Sequence, residues 1–193
     1  MHRQPARVLE PADVRRLVTH ATGRRHSLRD ITIVLLSFKA GLRACEIAGL
    51  TWSMVLRTDG RVSDQLSISK HIAKYGSGRR VPLHTELRDA LVRHHRVVGK
   101  PSHGAVIQSE RGGHMTPRSV VNWFHRAYAE LGLDGCSSHS GRRTFITRSA
   151  RILSKVGGSL RDVQELAGHR ALSTTERYIE GDRDAQRKLV ALV

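Results

Sequence analysis

The chain has 193 residues, enough for one domain, and 39% of them are hydrophobic, which is enough for an ordinary buried core. Because only 4% are aromatic, that core must be built mainly from leucine, valine, isoleucine and alanine. The 33 lysines and arginines outnumber the 17 acidic residues and give a net charge of +16, which favours nucleic acid over a membrane surface as partner and exceeds what solubility requires.

The first part of the chain predicts helices followed by a small sheet. Apolar residues at helical spacing predict three helices, over 11–21, 28–40 and 43–49. Ser27 and Asp30 resemble a capping box before the second helix, and Gly41 ends it. Three short strands are predicted next, over 53–57, 65–71 and 79–83. Turn residues at 58–60 and a Gly-rich tip at 75–78 separate the strands, which together predict an antiparallel sheet.

The second part returns to helical patterns. Thr85 is expected to cap a helix that runs to about residue 98, and Thr116 with Pro117 is typical of a helix start. Ser159 with Asp162 predicts the cap of another helix. The remaining helical segments are 140–153, 173–178 and a short amphipathic stretch over 182–193. We therefore expect a mainly α fold with a small three-stranded antiparallel β-sheet.

Five short groups along this frame have side chains suited to chemistry. They are Arg43 and Glu46 in Gly-Leu-Arg-Ala-Cys-Glu, Lys74 before Val-Pro-Leu, His139 and Arg142 in His-Ser-Gly-Arg, His169 in Leu-Ala-Gly-His, and Tyr178 nine residues later. Each group alone has an ordinary explanation: a helical ion pair, a solvated lysine, a chance pair, a capping histidine and a core tyrosine. Only their joint occurrence calls for another explanation.

In this order and at these spacings, the set resembles the tyrosine recombinase family, the phage-integrase-like recombinases, over about residues 9–181. The resemblance implies the catalytic-domain fold of that family. It also implies that Tyr178 attacks a DNA phosphodiester and forms a 3′-phosphotyrosyl intermediate with a free 5′-hydroxyl. Because the covalent bond stores the energy of the broken phosphodiester, no cofactor, ATP or metal is expected.

The residue types suit this chemistry at the phosphate. Attack puts extra negative charge on the non-bridging oxygens, which two guanidinium groups can clamp in a bidentate manner that lysine cannot match. Arg43 and Arg142 are the candidates for this role, and stabilising such developing charge is usually the largest catalytic contribution. His169 would add a hydrogen bond to the phosphate, and Glu46 would orient Arg43 or His139.

Proton transfer needs further groups. A phenol is mostly protonated near neutral pH, so Tyr178 needs a neighbouring base or a strongly positive site. His139 is suited to exchange that proton, and the resemblance implies that Lys74 protonates the departing 5′-oxygen.

Metal-dependent and secreted classes are disfavoured. The 12 histidines include no His-Glu-x-x-His, the two cysteines, Cys45 and Cys136, form no Cys-x-x-Cys, and acidic residues are scarce for a two-metal nuclease. We expect no metal site.

Two cysteines fit a reducing cytoplasm, and residues 1–9 contain no apolar stretch typical of a secretory signal. The longest apolar run, 31–38, is too short to span a bilayer, so we expect a cytoplasmic, nucleoid-associated protein without a membrane partner.

The resemblance also predicts partners and organisation. Double-stranded DNA is the expected partner, bound by a homotetramer on two DNA sites, with the free protein a monomer or weak oligomer.

We expect 1–181 to be the catalytic domain without an N-terminal core-binding domain, since helices begin near Pro11. Residues 182–193 would be a tail that docks on a neighbouring subunit or folds back on its own domain. Further DNA contacts are expected from Arg79, Arg80, Arg118, Arg126 and Arg143, the last at a position where the family often has histidine.

The sequence leaves three functions open. The leading one is site-specific recombination, by integration, excision or inversion. DNA relaxation by the same cutting and resealing is the second. The third is a non-catalytic DNA-binding protein on the same fold.

Overall fold

The computed structural model describes residues 5–178 and 190–191. The helices are α1 (Pro11–Thr22), α2 (Ser27–Lys39), α3 (Ala44–Gly49), α4 (Thr85–Val97), α5 (Pro117–Glu130), α6 (Ser140–Val156), α7 (Leu160–Ala167) and α8 (Leu172–Glu176). The strands are β1 (Gln65–Ile68) and β2 (Arg79–Pro82). This mainly helical fold confirms the predicted class, and most predicted helix bounds lie within a few residues of those observed.

The sheet has two strands in the described part of the chain, so the prediction of three was wrong. β1 and β2 are antiparallel, with Gln65 opposite Pro82. Where the first strand was expected, Trp52–Met54 forms a single 3₁₀ turn, and an isolated bridge joins Leu56 to Val62. The reason is the indole of Trp52, which is fully buried with its ring centroid 4.5 Å from that of His95. Burial of this large side chain outweighs the local strand pattern.

Two of the predicted helix caps were wrong. Helix α4 is capped by His84, whose Nδ1 accepts the Glu86 N–H at 3.2 Å, and Thr85 is already the first helical residue. Asp30 does not cap α2, because its buried carboxylate accepts a hydrogen bond from Arg29 Nε at 2.9 Å.

Two other predicted caps are confirmed. The hydroxyl of Thr116 accepts the Ser119 N–H at 3.0 Å, and Pro117 follows as the first residue of α5. Ser159 and Asp162 form the expected capping box at the start of α7. Caps of this kind are recognisable in sequence because both partners lie within one helical turn.

Helix α2 forms the centre of the main core. Its residues 30–38 are all buried, and it packs against α1, α4 and α6. Helix α6 approaches α2 closely at Gly141, where an added Cβ would collide with the side chain of Ser37. This contact brings the start of α6 next to the turn between α2 and α3.

A second, smaller core joins α6 to α7 and to the segment that contains Tyr178. Its buried members are Ile146, Val163 and Ala167, with Tyr178 among the half-buried side chains around them. Of the predicted tail over 182–193, only Val190 and Ala191 are described, and the rest lies outside the described residues. Nowhere in 5–178 or 190–191 is a helix both long enough and apolar enough to span a membrane.

Candidate active site

The carboxylate of Glu46 lies buried at the start of α3. It accepts the backbone N–H of Arg43 at 2.8 Å and an Nη1 hydrogen of the same residue at 3.1 Å. Burial by itself would raise the pKa of Glu46, but hydrogen bonds and charge from Arg79, and then from Arg43, hold that pKa below its ordinary value. A charged Glu46 therefore binds the side chains of both Arg43 and Arg79.

Arg79 reaches the same carboxylate from strand β2. Its two Nη atoms donate to Glu46 at 2.7 and 3.0 Å, and its Nε donates to the carbonyl of Leu166 at 2.8 Å. Only 6% of the side chain is exposed. The expectation that Arg79 contacts DNA is therefore corrected, because its guanidinium is buried on protein acceptors.

Arg142 extends from the first turn of α6 into this charged cluster. Its Nη1 donates to the carbonyl of Gly41 at 2.7 Å, and its Nη2 donates to the carbonyl of Ala167 at 2.6 Å and to His169 Nε2 at 2.9 Å. Burial, and then repulsion by Arg43, lower the pKa of Arg142 to about 10, so it is still charged at neutral pH. Of its five N–H groups, three have these acceptors. Within the described part of the chain, the second Nη1 hydrogen and the Nε hydrogen have no acceptor and can bind an incoming anion.

His169 follows Gly168, which ends α7 in the left-handed conformation with φ of +64°. Its Nε2 faces a donor on Arg142, so Nε2 must accept, and Nδ1 must carry the proton that it donates to Thr175 Oγ1 at 2.9 Å. Burial, with Arg142 and Arg43 nearby, lowers the pKa of His169 to about 4. His169 is therefore neutral at neutral pH.

Tyr178 lies against this histidine. The two rings are stacked with centroids 5.5 Å apart and an interplanar angle of 24°. The guanidinium carbon of Arg143 lies 5.7 Å from the centre of the Tyr178 ring, and Thr147 Oγ1 donates to the Tyr178 carbonyl at 3.2 Å. The phenol is therefore held beside Arg142 through His169, with a second cation over its face.

A cleft of about 610 Å³ opens onto this arrangement. Its lining includes Tyr178, Arg142, Arg143 and His139. His139 lies exposed at the N-terminal end of α6, one helical turn before Arg142. The structure thus brings six of the seven predicted catalytic residues into one contiguous group, with Glu46 beneath Arg43, His139, Arg142, His169 and Tyr178.

Lys74 is separate from this group in the structure. It lies on the exposed hairpin between β1 and β2, with its Nζ 4.9 Å from the ring centre of Tyr75. Arg80, Arg118 and Arg126 are exposed as DNA contacts require. Their contact with DNA and the catalytic roles of the other residues stay predictions.

Sequence reasoning missed Thr175 and the true role of Arg79. Thr175 is fully buried, and its hydroxyl accepts the Nδ1 proton of His169. Its position three residues before Tyr178 was the available signal, since residues at this spacing can share one turn, and the Tyr178 N–H donates to the Thr175 carbonyl at 3.0 Å. Arg79 had no comparable signal, because its partners Glu46 and Leu166 are 33 and 87 residues away in the chain.

The electrostatic balance of the cluster favours an anion. Among the described residues of this cluster, the guanidinium groups of Arg43, Arg79 and Arg142 surround one buried carboxylate, that of Glu46. A phosphate would supply the missing negative charge. Among residues 5–178 and 190–191, no group of three or more histidine, cysteine or acidic side chains is placed to hold a metal ion.

Known proteins resemble the chain in sequence. The tyrosine recombinase XerC of Actinobacillus pleuropneumoniae serotype 7 (strain AP76) is 28% identical over 180 residues, covering 90% of this chain and 54% of that protein. The tyrosine recombinase XerC of Bradyrhizobium diazoefficiens is 31% identical over 156 residues, covering 78% of this chain and 45% of that protein. The chain therefore spans about half the length of the curated relatives it matches.

Solved structures show the same fold. The Tn1549 transposon integrase in complex with a circular intermediate DNA superposes with a TM-score of 0.75 at 18% identity, covering 98% of this chain and 67% of that one. The XerA recombinase gives a TM-score of 0.73 at 20% identity, covering 100% of this chain and 64% of that one. The model of the phage integrase family matches residues 7–184. The chain therefore belongs to the phage integrase family.

Proposed function

We propose that this protein is a site-specific DNA recombinase that cuts and rejoins strands through a 3′-phosphotyrosyl intermediate. Membership of the phage integrase family supports this, as do relatives named tyrosine recombinases. One observation carries the proposal: the Tyr178 ring is stacked on His169, whose Nε2 is bonded to Arg142. A candidate nucleophile thus lies beside a buried cationic cluster with donors left for a phosphate.

In the proposed reaction, the scissile phosphate binds to Arg43 and Arg142, which stabilise charge on its non-bridging oxygens. The Tyr178 oxygen attacks phosphorus while His139 accepts the phenolic proton. The bond to the 5′-oxygen breaks, and that oxygen leaves with a proton from Lys74. A 5′-hydroxyl then attacks the phosphotyrosine and releases Tyr178, so the sequence of steps closes without an external energy source.

His169 has a defined state before DNA binds. With Nδ1–H donated to Thr175, it presents no N–H to a phosphate until Arg142 turns toward that phosphate. The imidazole can then release its Nδ1 proton to solvent and take up a proton at Nε2, while the Thr175 hydroxyl rotates to donate a hydrogen bond to Nδ1. The new Nε2–H then faces the phosphate. A hydrogen bond from His169 to the phosphate therefore requires a tautomer change that Thr175 permits.

Partners follow from the same proposal. Double-stranded DNA is the proposed substrate. The structures of the Tn1549 integrase in complex with a circular intermediate DNA and of the lambda integrase dimer bound to a core site support this. Four subunits on two duplexes would complete strand exchange in the cytoplasm at the nucleoid.

Residues 182–193 would dock on a neighbouring subunit, so deletion after Asp184 should weaken single-site cleavage and abolish synapsis. Normal assembly and recombination by the truncated protein would contradict this docking.

The central test uses a nicked suicide DNA, from which the segment beyond the cut diffuses away and traps the intermediate. The unaltered protein should form an adduct that survives SDS, and Tyr178→Phe should form none. Tyr128→Phe is the matched control, because the Tyr128 hydroxyl is buried in the core. DNA binding without any adduct would contradict the proposal and indicate a non-catalytic DNA-binding protein.

A second assay separates recombination from relaxation. Two marked sites on one DNA should exchange flanking sequence if the protein is a recombinase. Relaxation of a supercoiled plasmid that lacks any such site, without exchange between marked sites, would instead indicate a relaxing enzyme.

A further inference from the structure

The hairpin between β1 and β2 has an unusual tip. Tyr75 has a left-handed backbone with φ of +61°, which is costly for a residue with a Cβ, and its side chain is 65% exposed. The neighbouring Lys74 places its Nζ 4.9 Å from the centre of the same ring. A contact that fixes Tyr75 therefore also fixes the position of its neighbour Lys74.

Arg170 holds Tyr75 in two ways. Its Nη2 donates to the Tyr75 carbonyl at 2.6 Å, and its guanidinium carbon lies 5.5 Å from the centre of the Tyr75 ring. Arg170 directly follows His169 in the chain. The tip that contains Lys74 is thus attached to the residue next to His169.

The backbone that presents Arg170 is itself fixed. The side-chain amide of Gln164 donates to the carbonyls of His169 at 3.0 Å and Arg170 at 3.3 Å. The His169 N–H donates in turn to the Gln164 carbonyl at 3.0 Å. At the base of the hairpin, Arg79 Nε donates to Leu166 O. Residues 166–170 therefore hold the hairpin at both its base and its tip.

We propose that Arg170 is a positioning residue for Lys74, which it presets by binding Tyr75 so that the ammonium group is delivered to the departing 5′-oxygen. This inference rests on the proposed recombinase function. Removal of Arg170 leaves Lys74 chemically intact but releases the hairpin tip from the loop that contains His169. Its loss should then affect the one step that Lys74 serves, protonation of the leaving group.

A sulfur substitution isolates that step. In DNA with a 5′-bridging phosphorothiolate, Tyr178 forms the same bond to phosphorus, but the bond that breaks is phosphorus to sulfur. A thiolate is a much weaker base than an alkoxide and departs without a proton. Cleavage of this DNA therefore needs no ammonium group at the leaving atom, while every other requirement of the site remains.

The experiment measures single-turnover adduct formation on oxygen- and sulfur-linked suicide DNA. On the oxygen-linked DNA, Arg170→Ala should form the adduct about tenfold or more slowly than the unaltered protein. On the sulfur-linked DNA, its rate should lie within about threefold of that of the unaltered protein. Lys74→Ala provides the reference, with a larger loss and the same recovery. Arg161→Ala is the matched control, since it removes the same charge from the adjoining helix, where its side chain is 79% exposed. It should cleave both substrates normally.

Each result is decisive. Equal slowing of Arg170→Ala on both substrates would overturn the proposal, because a folding defect or a lost DNA contact does not depend on the leaving atom. An unchanged rate on the oxygen substrate would also overturn it, as would equal slowing of Arg161→Ala. Failure of the recombinase function itself is distinguishable, because the unaltered protein would then form no adduct with either DNA.

Discussion

Arg79 donates both terminal nitrogens of its guanidinium group to the buried carboxylate of Glu46, at 2.7 and 3.0 Å. This pair joins strand β2 to the start of helix α3, and Arg43 shares the same carboxylate. The position of a candidate phosphate-binding arginine thus depends on an ion pair with a residue of the hairpin strand.

Glu46→Gln should destabilise the fold by about 3–5 kcal/mol at pH 7, because it leaves buried guanidinium groups without their counter-charge. The folded-state pKa of Glu46 is lowered, so its stabilising contribution is present above the ordinary value of 4.5 and is lost only as pH falls through the lower, folded value. Urea denaturation should therefore show the lower free energy of unfolding of Glu46→Gln at both pH 7 and pH 5.

Glu165→Gln is the matched control for that measurement. Glu165 forms an exposed pair with Arg161 on one helix face, so its loss should cost less than about 0.5 kcal/mol. A Glu46→Gln deficit as small as that of Glu165→Gln would show that the buried pair contributes little net stability.

Arg79 and its exposed neighbour Arg80 should behave oppositely. Arg79→Lys should lower the unfolding midpoint and the rate of adduct formation, because lysine cannot donate to both Glu46 oxygens and to Leu166. Arg80→Ala should leave the unfolding midpoint unchanged and weaken DNA binding. Its binding constant should also depend less steeply on salt concentration, because about one fewer counterion is released on binding. Denaturation and salt-dependent DNA binding measure both effects. A normal midpoint for Arg79→Lys would contradict the buried role.

Thr175→Val should slow adduct formation and cost about 1–3 kcal/mol of stability. Valine has nearly the same shape as threonine, but it leaves the His169 Nδ1–H without its acceptor. Thr174→Val, at the exposed neighbouring position, is the control and should change neither quantity. Equal behaviour of the two variants would mean that the Thr175 hydroxyl is not needed as the acceptor of the His169 Nδ1–H.

The imidazole of His169 should take up a proton only near pH 4, because burial and the adjacent arginines lower its pKa. An unfolded histidine titrates near pH 6.5, so the unfolded chain binds the extra proton first. This group therefore reduces stability as pH falls from about 6.5 toward 4. Histidine ¹⁵N NMR, with His169→Gln to assign the signal, checks the value. Titration near pH 6.5 would contradict it.

Gly141→Ala should destabilise the protein by about 1–3 kcal/mol, because the added methyl group collides with Ser37 where α6 crosses α2. The shift should also displace the adjacent Arg142 and slow adduct formation. Gly23→Ala is the control, since its nearest heavy atom would lie 3.8 Å away and its backbone is already helical. Thermal unfolding should show little change for Gly23→Ala. Normal stability of Gly141→Ala would mean that the two helices can separate at no cost.

Much of the fold and of the candidate site is readable in the sequence. Helix α7 was predicted because its capping partners, Ser159 and Asp162, are three residues apart and report on the same turn. The order and spacing of Arg43, His169 and Tyr178 indicated the family because each group has a side chain that phosphate chemistry requires. Patterns of this kind are local, or depend only on residue type, and both are visible without coordinates.

The tertiary structure alone decided which side chains meet. It directed Arg79 to Glu46 instead of DNA, replaced a predicted strand by a turn that buries Trp52, and placed Tyr75 of the hairpin tip against Arg170. The Arg79 and Arg170 contacts join segments 33 and 95 residues apart in the chain. Such pairings depend on how the helices pack around a shared core, and no local periodicity encodes that packing.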